Sequence, residues 1–412
     1  MKIVHVVLNY YPSIGGTQWL FQNISERLVK NYGDDVTVLT IDSFYASEKK
    51  KYKKILLPKE SYNGVYIERF PFIRYHLPLF RLINRITNRI FHYRFEWVIE
   101  KLYGPLSVSL KKRLNSTEAD VVCGSSSAYS FMNYPLRRKS NRKPFVFMGA
   151  IHFVAQNNQT DITQKKLAAI QQSEMYIANT QFEKDRLIAL KVPAENIAVI
   201  GCGVDIDNFG YDANLNLRKE LHIDDNDMVF GFVGRQEPVK SLDILIKAFV
   251  MLSAQYTNAK LVIAGADSWY TSELKKMIHT TECANNIFLL SNINEQQKIH
   301  LLQSIDIFVS ASASESFGIV FIEAWACKKP VIGANVGAIN CVIDDEVNGL
   351  LFNPFDANDL SDKMKFLIQQ KDTRNAMGER GYKKVQQQYT WDIITEKYRN
   401  TYKQAIEKFK NN

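Results

Sequence analysis

Gly231-Phe232-Val233-Gly234-Arg235-Gln236-Glu237-Pro238-Val239-Lys240-Ser241 closes an apolar run that begins at Met228 and leads into the helical pattern Leu242–Leu252. A strand-length apolar run, a short Gly- and Pro-containing loop and a helix form the repeating unit of parallel α/β sheets, whose strands need crossover connections. Toward the C-terminus the unit recurs. Strands are expected at Leu261–Ala264, Ile287–Leu290, Ile307–Ser310 and Pro330–Ile332, and helices at Ser272–Thr280, Glu295–Gln303, Val320–Cys327, Ala357–Gln370 and Trp391–Lys408. Toward the N-terminus, Ile3–Leu8, Val36–Ile41, Val65–Phe70, Ala119–Cys123, Phe145–Met148, Met175–Ala178 and Ile197–Ile200 read as strands. Amphipathic helices such as Trp19–Tyr32 and Phe182–Leu190 lie between them.

The polar stretch Asp205–Asn216 interrupts this alternation. The predicted fold class is therefore α/β, with two Rossmann-like domains and a cleft between them: residues 1–205, a linker at 206–216, and residues 217–389. A chain of 412 residues is long enough for two or three domains. With 46% hydrophobic and 23% charged residues it is neither disordered nor fibrous. No window approaches the ~18 uninterrupted apolar residues of a membrane span, and Met1–Leu8 is too short and β-branched for a signal peptide. Five Cys (123, 202, 283, 327, 341) include no C-x-x-C pair, which argues against a disulfide framework or zinc site and for a reducing, cytoplasmic setting.

Ligands of open α/β sheets sit at the carboxyl ends of the strands, and three such places stand out. After the first strand, Gly15-Gly16 precedes a helix; paired glycines there serve either a close anion or a tight turn, and the dinucleotide pattern G-x-G-x-x-G is absent. In the quoted stretch, Arg235 and Lys240 place two cations in one strand-end loop, suited to a diphosphate or simply solvated. The third place, Glu315-Ser316-Phe317-Gly318 followed by Glu323, holds two carboxylates around a helix start. On one continuous helix, eight residues separate Cα atoms by about 12 Å and rotate them by roughly 80°, a poor fit to a hydrolase's acid–base pair. Separate tasks fit better: carboxylates accept hydrogen bonds from sugar and ribose hydroxyls, while the N–H groups of Ser316, Phe317 and Gly318 hold a negative leaving group. Two surface glutamates remain the plain alternative.

Arg235 with Lys240, and Glu315 with Glu323, resemble the signature of retaining nucleotide-sugar glycosyltransferases of the GT-B fold (family 4, "glycosyl transferases group 1"). Glu323-Ala324-Trp325-Ala326-Cys327-Lys328-Lys329-Pro330-Val331 is similar to the family's E-A-x-A-x-G-x-P-V, with Lys328 at the common Gly. Asn348-Gly349-Leu350-Leu351 matches N-G-L-L; Asn179-Thr180 and Gly203-Val204-Asp205 match elements at the end of the first domain, with Cys202 replacing an Asn. The resemblance implies that Arg235 and Lys240 grip the donor diphosphate, Glu323 the ribose, and Glu315 the transferred sugar. It puts Gly15 and Gly16 against diphosphate and acceptor, His152 beside the sugar (with Phe153 at the usual Asp), and the Ile293 backbone at the nucleobase. It also implies that the final helix, counted as 390–412, returns to the first domain. Cys341 stands where the family often has Glu.

No D-x-D pairs with these residues, Asp205 and Asp207 belonging to the boundary, so cations and helix N-termini are expected to meet the diphosphate charge without a metal or cofactor. The net charge is +9, from 52 Lys plus Arg against 43 Asp plus Glu, and residues 69–113 hold ten basic residues against two acidic ones. Arg81, Arg85 and Arg89 recur at helical spacing with Leu79, Ile83, Ile86 and Ile90 on the opposite side, which reads either as an interfacial helix on anionic lipid or as a solvated helix packed on its domain. Arg137, Arg138, Lys139, Arg142 and Lys143 add a second basic cluster. The expected partners are a nucleotide-sugar donor, a glycan or lipid-linked acceptor and an anionic membrane surface; no recognition motif points to nucleic acid. The expected setting is cytoplasmic, peripheral to the inner face of the plasma membrane. The rivals are an epimerase or phosphorylase on the same fold, or a catalytically silent nucleotide-sugar-binding or membrane-scaffold protein.

Overall fold

The computed structural model describes the chain except residues 14, 45–52, 74–76, 92–94, 96, 99–101, 103–105, 126–133, 135–141, 150, 152–161, 211–216 and 412. It divides into two units, one made of Met1–Ile151, Asp161–Gly201 and Trp391–Asn412, the other containing Cys202–Thr390. The division thus falls ahead of the boundary read at 205. Ile206–Phe209, read as linker, is a short 3-10 helix whose Phe209 is buried.

The first unit is built on an eight-stranded sheet: β1 (Lys2–Val6), β2 (Asp35–Ile41), β3 (Lys59–Tyr62), β4 (Val65–Phe70), β5 (Val121–Ser125), β6 (Phe145–Met148), β7 (Met175–Ala178) and β8 (Ile197–Val199). Their order is β3-β4-β2-β1-β5-β6-β7-β8, parallel apart from the β3–β4 hairpin. Strands buried on both faces are expected to be near-continuously apolar, as β5, β6 and β7 are. Among the described residues, the α-helices of this part of the chain include α1 (Gly16–Tyr32), α2 (Leu77–Phe91), α3 (Val108–Asn115), α4 (Gln164–Gln171) and α5 (Gln181–Ala189).

The second unit is an all-parallel sheet of β9 (Met228–Val233), β10 (Ala259–Gly265), β11 (Ile287–Ser291), β12 (Ile307–Ser310), β13 (Val331–Ala334) and β14 (Gly349–Phe352) in the order β11-β10-β9-β12-β13-β14. Its order reverses between β9 and β12, so the β9 and β12 loops open at a topological switch point. The helices are α6 (Leu217–Glu220), α7 (Leu242–Ser253), α8 (Thr271–His279), α9 (Glu295–Ser304), α10 (Ile319–Ala326), α11 (Ile339–Val342), α12 (Ala357–Gln369) and α13 (Lys371–Gln388).

Helix α14 (Trp391–Asn411) packs in the first unit, beside α1 and the β5–β7 face. Arg399 there pairs with Asp34 (2.8 Å), and the Tyr402 hydroxyl lies 3.0 Å from His5 Nε2.

Helix α13 is polar and carries Gly378 and Gly381 in its interior, residues that usually weaken helices. The close approach to α10 requires them: a Cβ on Gly381 would lie 2.1 Å from the buried Trp325 ring, and one on Gly378 2.0 Å from the Lys328 carbonyl oxygen. Lys328 itself adopts φ 57°, a left-handed conformation suited to glycine. Intrinsic propensity alone would make Gly381→Ala stabilising by about 1 kcal/mol. The ring contact reverses the sign, and we expect a loss of about 1–3 kcal/mol in urea unfolding. Unchanged or increased stability would mean that α13 is not seated on Trp325.

Candidate active site

The loop after β9 is fastened by Gln236, which is fully buried. Its N–H donates to the Ala266 carbonyl (2.9 Å) and its side-chain amide to the Leu290 carbonyl (3.1 Å), joining the ends of β9, β10 and β11. Ser268 Oγ in turn donates to the Gln236 carbonyl. On either side of this anchor, Arg235 is largely exposed and pairs with Glu237 (2.9 Å). The chain then makes a 3-10 turn, Pro238–Lys240, and enters α7 through Ser241 at φ 48°.

Lys240 reaches across to the loop after β12, where its Nζ lies 2.5 Å from Glu315 Oε1 with both side chains mostly buried. Ser312, fully buried, donates to the Val239 and Ser314 carbonyls and so braces the two loops together. The structure thus joins two of the residues singled out from sequence, Lys240 and Glu315. Glu323 is on α10 and has a different partner.

Helix α10 begins at Gly318, held at φ 87°, where a Cβ would also strike the Phe321 ring at 2.6 Å. Among the described residues, the backbone N–H groups of Ser316, Phe317 and Gly318 have no hydrogen-bond acceptor. The Phe317 side chain is buried edge-on against Tyr389, with centroids 5.5 Å apart, which leaves only its backbone for a ligand.

Glu323 meets Lys298 of α9, with Oε1 2.5 Å from Nζ; Lys298 also contacts Glu295 at 2.7 Å. Burial raises the Glu323 pKa, and Lys298 offsets this only in part. Burial pulls the Lys298 pKa down, but Glu323 and Glu295 outweigh it and hold the amine charged. Sequence reasoning missed Lys298: a lone Lys within E-Q-Q-K has no motif, and its significance arises when α9 brings it to a buried carboxylate. Just before α9, Asn294 and Gln297 form a reciprocal capping box. Ile293 lines a cavity of about 320 Å³ with Leu217, Leu290, Gln297 and His300.

In the first unit, Gly15 and Gly16 open α1. A Cβ on Gly15 would meet only the mobile end of Gln18, and one on Gly16 nothing within 4 Å. His152 lies outside the described residues. Its approach is anchored by Glu183, another residue that the sequence did not single out, whose buried carboxylate accepts from Ile151 N–H (3.1 Å), Asn179 N–H (2.7 Å) and the Tyr176 hydroxyl (2.6 Å). Thr180 caps α5 by accepting from Glu183 N–H, so the Asn179-Thr180 element has a structural task.

Two family models match the chain: Glycosyltransferase Family 4 over residues 14–208 and Glycosyl transferases group 1 over residues 214–384. An uncharacterized glycosyltransferase of Methanocaldococcus jannaschii is 25% identical over 99% of both chains. The D-inositol 3-phosphate glycosyltransferase of Saccharomonospora viridis is 26% identical over 58% of this chain and 58% of that protein, so the match spans little more than half of that relative. Among solved structures, Anabaena HepE in complex with UDP has a TM-score of 0.72 at 19% identity, covering 97% of this chain and 99% of that one. Sucrose-phosphate synthase of Thermosynechococcus elongatus has a TM-score of 0.71 at 17% identity, with coverages of 99% and 100%. The chain belongs to the GT-B glycosyltransferases of the family 4, group 1 type.

Proposed function

We propose that the protein transfers a sugar, of the hexosyl type, from a nucleoside-diphosphate donor to a hydroxyl of a glycan or lipid-linked acceptor, retaining the anomeric configuration and using no metal. The observation that carries this reading is the set of groups on the β9 and β12 loops: Arg235, the Lys240–Glu315 pair, and the N–H groups of Ser316, Phe317 and Gly318, which have no acceptor among the described residues. Arg235 and Lys240 take the diphosphate, Lys240 exchanging Glu315 for a phosphate oxygen, and this frees Glu315 to accept from hydroxyls of the transferred sugar. Glu323, aligned by Lys298, takes the ribose, and the base enters the cavity beside Ile293. Cations and N–H dipoles meet the charge that develops on the departing diphosphate. The acceptor hydroxyl attacks from the leaving group's side and passes its proton to the diphosphate oxygen, with His152 beside the sugar. The product is assigned to cell-surface polysaccharide or glycolipid synthesis.

The test is thermal-shift binding to UDP-, GDP-, ADP- and TDP-sugars. One nucleotide is expected to stabilise the wild-type protein, with Arg235→Ala weakening that binding about 10–100-fold, the worth of a hydrogen bond to a charged group. Arg235 is largely exposed, so this variant keeps its fold. No shift with any nucleotide would favour a catalytically silent protein, and donor breakdown independent of an acceptor hydroxyl would favour an epimerase.

Gly16 offers a check on the first unit. Because a Cβ there meets nothing, Gly16→Ala is expected to melt at the wild-type temperature or slightly above. Turnover with donor and acceptor should nevertheless fall at least tenfold if a diphosphate approaches this backbone. Full activity would assign the Gly15-Gly16 pair to the turn alone.

A further inference from the structure

The cavity beside Ile293 holds about 320 Å³, the size of a small-molecule site. Strand β11 and helices α6 and α9 supply its lining, with Leu217, Leu221, Leu289 and Leu301 giving it an apolar character. Three side chains of stronger chemistry join them: Glu220 from α6, and Gln297 and His300 from α9.

The fold makes no use of the Glu220 carboxylate, which has neither an ion pair nor a hydrogen bond among the described residues. Its neighbour Arg218 is fully engaged instead. The Arg218 guanidinium donates to the Ser304 carbonyl at the end of α9 (2.9 Å) and pairs with Asp306 (2.7 Å), which seats α6 against α9. Gln297 is fixed by the capping box: its oxygen accepts from the Asn294 N–H at 2.9 Å. The Gln297 NH2 group is left to donate and has no acceptor among the described residues. His300 has no partner there either, but as donor or acceptor by tautomer it favours no particular base.

A carboxylate can accept two hydrogen bonds side by side, so it suits a base with two adjacent donors. Guanine has them, N1–H next to N2–H2, with the O6 acceptor following on the same edge. Uracil and thymine flank a single ring N–H with two carbonyl oxygens, and adenine sets its amino group beside a bare ring nitrogen. Each of these would turn a lone pair toward the carboxylate, and a site left with unpaired polar groups rejects such a ligand strongly.

We propose that Glu220 makes this cavity guanine-selective, its carboxylate accepting from N1–H and N2–H2 while the Gln297 amide donates to O6. The inference rests on the donor reading given above and adds the base to it: the donor is a GDP-sugar.

The experiment is calorimetric titration of the full chain with GDP, IDP, ADP and UDP. IDP lacks only the 2-amino group of GDP, so the two differ by one hydrogen bond to Glu220. The wild type is expected to bind GDP at least tenfold more tightly than UDP or ADP. It should bind GDP about 10–100-fold more tightly than IDP, the worth of a hydrogen bond to a charged group. Glu220 is exposed, so Glu220→Ala should melt at the wild-type temperature. That variant should bind GDP and IDP alike and UDP as the wild type does. A wild type that prefers UDP or ADP, or that binds GDP and IDP equally, would overturn guanine selection while leaving the donor site in place. A full GDP–IDP gap in Glu220→Ala would overturn the role of Glu220. Binding of none of the four would remove the donor reading itself, and base selection with it.

Discussion

Lys298→Met is expected to lose about 3–5 kcal/mol of stability at neutral pH, the effect of leaving a buried charge unpaired. The cost comes from Glu323, whose side chain is 9% exposed, and not from Glu295, whose side chain is 59% exposed and stays hydrated without Lys298. Urea unfolding of Lys298→Met, Glu323→Gln and the double variant would measure the coupling, and the double variant should recover most of the loss. The pH dependence has a fixed sign. Burial already holds the Glu323 pKa above the usual carboxylate range, and without Lys298 it rises further. A carboxyl with a raised folded-state pKa favours folding below its unfolded pKa, and that benefit is lost as pH rises through the folded value. Relative to wild type, Lys298→Met should therefore regain stability on acidification. A variant as stable as wild type at pH 7 would show that this pair does not anchor α10.

A second large effect is expected from His5. It is fully buried, with Nδ1 2.7 Å from Ser25 Oγ and Nε2 3.0 Å from the Tyr402 hydroxyl. Burial pulls its pKa from 6.5 to about 3. The folded state thus prefers neutral imidazole: the contribution is complete above pH 6.5 and is lost as pH falls, at about 1.4 kcal/mol per pH unit. By pH 4.5 the cost is roughly 2–3 kcal/mol. His5→Gln will be less stable than wild type at neutral pH because it disturbs the network, and the gap should narrow steadily between pH 6.5 and 4.5. A constant gap would mean that His5 does not titrate with unfolding.

Most strands were legible because strands buried on both faces are written as unbroken apolar runs; Met228–Val233 and Met175–Ala178 match the sequence reading residue for residue. The failures have separate causes. Strand β3, Lys-Glu-Ser-Tyr, is a polar edge strand that buries little. Helix α13 was not among the expected helices; it is polar, and its two interior glycines serve packing against Trp325 and Lys328. Of the four residues that loop position, charge and the family resemblance singled out, the structure pairs Lys240 with Glu315 and gives Arg235 and Glu323 other partners. Lys298, Gln236 and Glu183 were not legible, because their significance depends on which loops the sheet brings together. The two faces of α2 were readable from periodicity, but the exposure of Leu79, Ile86 and Ile90, expected opposite the arginines, was not.

The crossing of α14 into the first unit also orders events during synthesis. His5 and Tyr402 are 397 positions apart in sequence, so one is made long after the other. Closing so long a loop before other contacts form is slow, whereas Cys202–Thr390 is one uninterrupted stretch and can collapse as soon as it emerges. On the ribosome the second unit therefore gains its complete set of strands while the first still lacks a helix. A nascent chain halted before Trp391 would present a finished second unit and leave His5, Asp34 and the adjoining sheet face for chaperones to shield.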